Sequence, residues 1–196
     1  MQALIIVDVQ NEFAPGGLRT VPNHAEALAV IRRRVAEARA AGDAIAWVRH
    51  HNRPHESRAF VPGSWGAEFS PGLDPRLDRE EERLFEKDVY GAFTTTALEQ
   101  WLEGRGVTSV VVVGFFAHMC LSTTVREALV RGFDVVVDAD ATGARALEHP
   151  LLGRQAADEV RRSALLQLAD MGAIVESRPS HALWHASRPL ASSAAT

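Results

Sequence analysis

The chain has 196 residues, a length typical of one domain, and 46% of them are hydrophobic, enough for a large buried core. Its formal net charge of −4 gives no reason to expect a nucleic-acid partner. No apolar stretch approaches the length of a membrane span, and the N-terminus reads as a strand without a charged leader, so we expect neither a membrane anchor nor a signal peptide. The single cysteine excludes an internal disulfide and agrees with a cytoplasmic location.

Short apolar runs rich in β-branched residues alternate along the chain with longer helical patterns. We predict strands at 4–9, 44–49, 83–87, 109–113, 133–137 and 173–176, and helices at 23–41, about 95–105, 119–131 and 149–171. The stretch 50–82 has no clear period and is expected to be a functional loop. This alternation predicts an α/β fold: a doubly wound, mostly parallel six-stranded sheet with helices on both faces, a Rossmann-like three-layer arrangement. We assign residues 1–180 to the domain and 181–196 to a C-terminal tail.

Three reactive side chains lie at or just after the ends of predicted strands. Asp8 ends the first strand, Lys87 ends the third, and Cys120 opens the helix after the fourth. Ligands bind beyond the carboxyl ends of the strands in sheets of this type. We therefore expect one crevice to bring the three side chains together.

Each of these side chains has a chemical role and a structural alternative. The start of a helix favours a thiolate and offers N–H groups for an oxyanion, so Cys120 is a candidate nucleophile, or else a small buried apolar residue. Asp8 is costly to bury unpaired and is a candidate general base, or else a loop cap. Lys87 offsets the charge of Asp8, or else lies at the surface.

Four segments, in this order, resemble isochorismatase-like hydrolases. They are IIVDVQNEF at 5–13, PGSWGAEF at 62–69, EKDVYGAF at 86–93 and the long segment VVVGFFAHMC to DATGA at 111–144. The resemblance extends from residue 4 to about residue 176. It implies the isochorismatase-like α/β fold and carries the catalytic triad of these hydrolases onto the same three reactive side chains.

The resemblance implies a thioester mechanism. Asp8 takes a proton from Cys120, the thiolate attacks the substrate carbonyl and expels an amine or ammonia, and a water activated by Asp8 hydrolyses the thioester, while Lys87 supports the charged residues. It further implies a cis peptide bond between Phe115 and Phe116. The backbone N–H groups of Phe116 and Cys120 would then form the oxyanion hole.

Several side chains near these motifs are candidates for the substrate pocket. We expect an apolar wall with few polar groups, formed by Phe13, Trp65, Tyr90 and Phe116, with Gln10 and His118 close to the reacting groups. Any of the aromatic residues could instead be core packing. A structural role is equally open for Gln10, and a backbone-bonded histidine at the helix start is open for His118.

The loop after the second strand holds three histidines. Nicotinamidases of this superfamily bind a metal through an Asp-x-His pair and a later histidine, but no aspartate precedes His50, His51 and His55 here, and Ala59 stands where the last histidine is expected. A three-histidine site is the alternative to exposed or substrate-facing side chains. We expect no metal, no other cofactor and no nicotinamide substrate.

The resemblance implies a hydrolase acting on a small amide, carbamoyl or ureido C–N bond, and a homodimer or higher homo-oligomer. The residues around His118 are closer to isochorismatases, which cleave a vinyl ether and do not need the cysteine. A vinyl-ether hydrolase is therefore one alternative, and a non-catalytic small-molecule-binding protein on this fold is another. The retained Cys120 favours the amide reaction, with a small molecule and neither nucleic acid nor membrane as the partner.

Overall fold

A parallel six-stranded sheet forms the centre of the computed structural model, which describes residues 1–53 and 55–177. The strands of this sheet are β1 (Gln2–Val7), β2 (Ala44–His50), β3 (Glu82–Lys87), β4 (Ser109–Gly114), β5 (Asp134–Thr142) and β8 (Ile174–Glu176). Two short strands between β5 and β8, β6 (Leu147–His149) and β7 (Gly153–Gln155), form a separate hairpin. The strands of the main sheet lie in the order β3-β2-β1-β4-β5-β8, and each neighbouring pair is parallel. The chain builds outward from β1 to β3 and then returns to add β4 on the other side. The order therefore reverses between β1 and β4, which is where such sheets bind ligands.

Helices cover both faces of the sheet and confirm the predicted three-layer α/β fold. Helix α1 (His24–Ala41) packs on one face with Leu4 and Ile6, while α2 (Leu98–Glu103), α3 (Cys120–Val130) and α4 (Ala157–Asp170) pack on the other face. Burial on both sides explains why β1 is a continuous apolar run rather than an alternating one. None of the described helices is both long and apolar enough to cross a membrane.

The predicted helix over 149–171 is wrong in its first part. Residues 147–155 form an antiparallel hairpin of β6 (Leu147–His149) and β7 (Gly153–Gln155), and α4 begins only at Ala157. Pro150 lies in the turn, and Gly153 has a φ of +78°, a left-handed conformation that glycine adopts without steric cost. The predicted tail, 181–196, lies outside the described residues.

A buried arginine connects α1 to the far edge of the sheet. Arg34 is 1% exposed, and it donates hydrogen bonds to Asp138 on β5 at 2.6 Å and to Glu176 on β8 at 2.7 Å. Burial opposes the charge of this guanidinium, but the two carboxylates outweigh burial and raise the pKa of Arg34. The ion pairs therefore join the first helix to the last strand.

Candidate active site

Asp8 follows β1 directly, at the point where the strand order reverses. Its φ of +52° lies in the left-handed region, which Asp tolerates better than most residues, and its backbone N–H donates to Val48 O at 3.0 Å. Its side chain is 1% exposed, and Oδ2 accepts a hydrogen bond from Lys87 Nζ at 2.7 Å. Its other oxygen, Oδ1, is buried and has no hydrogen-bond partner among the described residues. One oxygen thus holds the lysine, while the other is open to accept a proton.

Lys87 is the last residue of β3, and its ammonium lies fully buried beside Asp8. Burial would lower the pKa of Lys87, but the attraction of Asp8 and, less strongly, of Cys120 outweighs burial and raises this pKa. The lysine therefore stays charged. A permanent cation beside Asp8 offsets the cost of burying the carboxylate.

His50 lies beside Lys87 in the β2–β3 register and completes the environment of the ammonium. His50 Nε2 is 2.9 Å from Asn52 Oδ1, and the Asn52 amide is oriented by its own donation to Ala59 O at 2.8 Å. Because Asn52 Oδ1 can only accept, the proton of His50 sits on Nε2. The lone pair of Nδ1 then faces Lys87 Nζ at 3.4 Å.

Cys120 is the first residue of α3 and is 8% exposed. Burial raises the pKa of the Cys120 thiol, the negative charge of Asp8 raises it further, and Lys87 opposes both effects. The thiol of Cys120 is therefore neutral in the ligand-free protein. Such a thiol becomes a nucleophile only if a base removes its proton during attack.

The backbone that leads into α3 presents free N–H groups beside Cys120. The Phe115–Phe116 peptide bond is cis, at the position implied by the sequence resemblance. Ala117 N–H donates to Gly143 O at 2.8 Å, whereas neither Phe116 N–H nor Cys120 N–H donates to any described residue. Two donors at the start of the helix are thus available for a ligand oxygen.

A cavity of about 210 Å³ opens above these groups. Asp8 and Cys120 lie on its wall together with the aromatic residues Phe13, Tyr90 and Phe116, while Lys87 lies behind Asp8. His50, one of the loop histidines expected to be exposed or substrate-facing, also lines the cavity. The remaining lining residues, which sequence reasoning did not assign to the pocket, are Arg19, Asn52, Glu56, Ser57, Phe60, Met119 and Arg145. The cavity combines an aromatic wall with polar and charged groups.

Gln10 and Trp65 were expected at the substrate, but neither lines this cavity. Gln10 is fully buried; its Nε2 donates to His50 O at 2.9 Å and Ala67 O at 2.8 Å, and its Oε1 accepts from His50 N at 2.9 Å. The side chain therefore joins the end of β2 to the following loop. Trp65 lies in a one-turn 3-10 helix, Trp65–Ala67, and is 56% exposed.

His118 also lies off the wall of this cavity, although it is two residues from Cys120. It lines a separate depression, and its ring centroid is 5.1 Å from that of Phe116. Burial and the nearby charge of Arg145 lower the pKa of His118 to about 4. The ring is therefore neutral at physiological pH.

The histidines of the loop do not form a metal site in this structure. His50 Nδ1 faces the Lys87 ammonium, His51 Nδ1 lies 3.8 Å from Glu86 Oε1, and His55 is exposed. No group of three His, Cys, Asp or Glu side chains within residues 1–53 and 55–177 is arranged to hold a metal ion. The donor set here does not fit a metal, because a fixed cation occupies the direction in which His50 would coordinate one.

The family model and the curated relatives that match this chain point to the same family. The isochorismatase domain family matches residues 2–178. The secreted isochorismatase effector Isc1 of Verticillium dahliae is 36% identical over 176 residues, which is 89% of this chain and 87% of that protein. The ureidoacrylate amidohydrolase RutB of Methylobacterium radiotolerans is 31% identical in an alignment 172 positions long, which covers 71% of this chain and 66% of that protein.

Solved structures agree with these relatives. The crystal structure of an isochorismatase from Pseudomonas putida KT2440 matches with a TM-score of 0.81 at 33% identity, covering 90% of this chain and 87% of that one. The family match covers nearly all of the described residues, including the strand ends that carry Asp8 and Lys87 and the helix start at Cys120. The chain belongs to the isochorismatase family and is a hydrolase.

Proposed function

We propose that this hydrolase cleaves a small amide, carbamoyl or ureido C–N bond through a thioester on Cys120. The observation that carries the proposal is the shared cavity wall of Asp8 and Cys120, with Asp8 Oδ1 lacking any other partner among the described residues. A buried neutral thiol next to a carboxylate with a free oxygen is a nucleophile paired with its base. The name of the ureidoacrylate amidohydrolase relative supports the ureido class.

The first half of the reaction forms the acyl-enzyme. Asp8 Oδ1 takes the thiol proton as Sγ of Cys120 bonds to the substrate carbonyl carbon, and the π electrons of the carbonyl move to its oxygen. The N–H groups of Phe116 and Cys120 stabilise this oxyanion. When the carbonyl re-forms, the C–N bond breaks and the leaving nitrogen takes the proton from Asp8.

The second half releases the acid. Water gives a proton to Asp8 Oδ1 as its oxygen attacks the thioester carbon, and the C–S bond then breaks, with the proton returning to the sulfur of Cys120. Lys87 exchanges no proton in either half. Its constant charge keeps the carboxylate of Asp8 ready to accept one.

A screen for ammonia release from small amides and ureides tests this proposal, with Cys120→Ala beside the wild type. We expect the variant to lose at least about a thousandfold in kcat/KM, because the nucleophile is gone, and an acyl adduct on wild-type Cys120 in the intact mass. A Ser122→Ala control changes the same helical turn away from the cavity and should keep its activity. Full turnover in Cys120→Ala would favour vinyl-ether hydrolysis, and binding without turnover in the wild type would favour the non-catalytic alternative.

We also propose a cytoplasmic location, a domain at residues 1–180 and a homodimer or larger assembly. The support for the location is the single thiol, which must stay reduced to act as a nucleophile. One relative is named a secreted effector, so cell fractionation is the direct test. Light scattering on the purified chain tests the assembly, and limited proteolysis followed by mass measurement tests the domain boundary.

A further inference from the structure

Two arginines from distant parts of the chain line the cavity that contains Cys120. Arg19 lies in the loop before α1, and Arg145 lies in the segment between β5 and β6. Many other arginines of the protein lie against carboxylates, as Arg34, Arg39 and Arg131 do. Neither Arg19 nor Arg145 forms an ion pair with any described residue within 4 Å.

Arg145 has unused hydrogen-bonding capacity at the cavity. Its Nε is buried and has no acceptor among the described residues, and its Nη1 makes only a long hydrogen bond of 3.4 Å to Ala146 O. The guanidinium carbon lies 6.0 Å from the centroid of the Phe116 ring, which forms part of the same wall. A buried guanidinium edge without an acceptor is costly unless a ligand supplies one.

The other charges on the wall leave a positive excess. Asp8 is neutralised by Lys87 at 2.7 Å, and the remaining acid, Glu56, is exposed and accepts a hydrogen bond from Arg53 N at 3.0 Å. Among the described residues that line the cavity, Glu56 at the solvent edge is thus the only charged group other than Arg19 and Arg145 that is not neutralised nearby. The volume of about 210 Å³ is below the roughly 300–1,000 Å³ of sites for drug-sized ligands, so the ligand is small.

We propose that Arg145 and Arg19 bind a carboxylate of the substrate, so that the enzyme hydrolyses small acidic amides or ureides in preference to neutral ones. The planar guanidinium matches a carboxylate with two parallel hydrogen bonds, which fixes the orientation of the ligand as well as its charge. This inference rests on the proposed function for its reaction, but the anion site itself is open to a test that needs no turnover.

Alkylation of Cys120 by a matched pair of reagents provides that test. Iodoacetate and iodoacetamide are similar in size, but only iodoacetate carries a carboxylate; with either one, the sulfur–carbon bond forms as iodide leaves and the thiol proton passes to Asp8 or buffer. Because the chain has one cysteine, each gain in intact mass reports this sulfur alone. The quantity of interest is the ratio of the two rates in the native protein, divided by the same ratio in urea-unfolded protein.

We expect this normalised ratio to be about 10 or more in the wild type, because hydrogen bonds to a charged group strengthen binding by about tenfold or more. Arg145→Gln should bring it close to one, Arg19→Gln should lower it in part, and Arg145→Lys should keep an intermediate value because it retains charge without the planar fork. Arg162→Gln, an exposed arginine on α4, is the control for the change in net charge and should leave the ratio unchanged. The iodoacetamide rate in each variant shows whether the fold and the thiol are intact.

A wild-type ratio near or below one, or one that Arg145→Gln leaves unchanged, overturns the anion site. If neither reagent modifies the native protein, the sulfur is inaccessible, and both this inference and the proposed function fail. A high ratio without hydrolysis of any amide keeps the anion site and refutes the proposed reaction. Ammonia release provides a second comparison: succinamate should be cleaved faster than butyramide, and the reverse order contradicts the inference.

Discussion

Replacing Lys87 by methionine removes the buried cation of the site while keeping a long side chain in its place. Lys87 Nζ and Asp8 Oδ2 are 2.7 Å apart, and their side chains are 0% and 1% exposed. Two unit charges at that distance attract by roughly 6 kcal/mol at an effective dielectric constant of about 20. Measured losses on breaking one side of a buried pair are about 3–5 kcal/mol, because the remaining charge stays buried without its partner. We expect Lys87→Met to lose stability within that range.

Urea unfolding of four proteins measures this effect: the wild type, Lys87→Met, Asp8→Asn and the double variant. Each single variant leaves one buried charge uncompensated, whereas the double variant removes both charges. We therefore expect the double variant to be more stable than the sum of the single losses predicts, by about 2 kcal/mol or more.

Two results would refute this reasoning. A loss below about 1 kcal/mol in Lys87→Met would mean that water reaches the carboxylate and that the pair is not buried in solution. Additive losses in the double variant would mean that the two charges do not interact. The single variants should also lose amide hydrolysis if the proposed function holds, but the stability result stands without it.

Three further changes test other parts of the structure by urea unfolding. As the pH falls from 7.5 to 5, the free energy of unfolding of the wild type should fall by about 2 kcal/mol relative to that of His118→Gln. The reason is that His118 binds a proton in the unfolded chain, where its pKa is the usual 6.5, but not in the folded protein, where its pKa is about 4. Parallel pH profiles of the two proteins would contradict this. Gln10→Leu should lose about 3 kcal/mol, since it leaves backbone groups of His50 and Ala67 unpaired, and a loss below 1 kcal/mol would show that water replaces the amide. Gly114→Ala should fail to fold stably, because its φ is +121° and a Cβ would lie 2.0 Å from the backbone oxygen of the neighbouring strand β1; wild-type stability would contradict that geometry.

The layout of the sheet was predictable because its central strands, β1, β2 and β4, are buried on both faces. Such strands appear as continuous apolar runs, and Gly42, with a φ of +69°, marks the end of α1. The hairpin at residues 147–155 was missed because Pro150 is also common in the first turn of a helix, so the sequence pattern there fits both structures. The left-handed conformation of Gly153 distinguishes the hairpin from a helix, but the spacing of apolar residues does not reveal it.

In the candidate site, the side chains that follow strand ends could be predicted from the sequence, whereas those that lie on loops could not. Asp8, Lys87 and Cys120 follow from the rule that chemistry gathers at the carboxyl edge of a parallel sheet. Arg19 and Arg145 carry no comparable signal, because their approach to the cavity depends on the paths of two loops. Gln10 was predictable only as an unusual polar residue near β1, since its backbone partners lie 40 and 57 positions away.

The ion pairs of Arg34 affect how early the chain can finish folding while it is being synthesised. The arginine belongs to the first helix, but Glu176, one of the two carboxylates that it contacts among the described residues, arrives 142 positions later, on the last strand of the sheet. Until that strand has left the ribosome, a cation destined for the interior lacks this part of its counter-charge, and the outer edge of β5 is open. The nascent chain is therefore expected to reach its protease-resistant state only after release of residue 176, however early its first strands have formed.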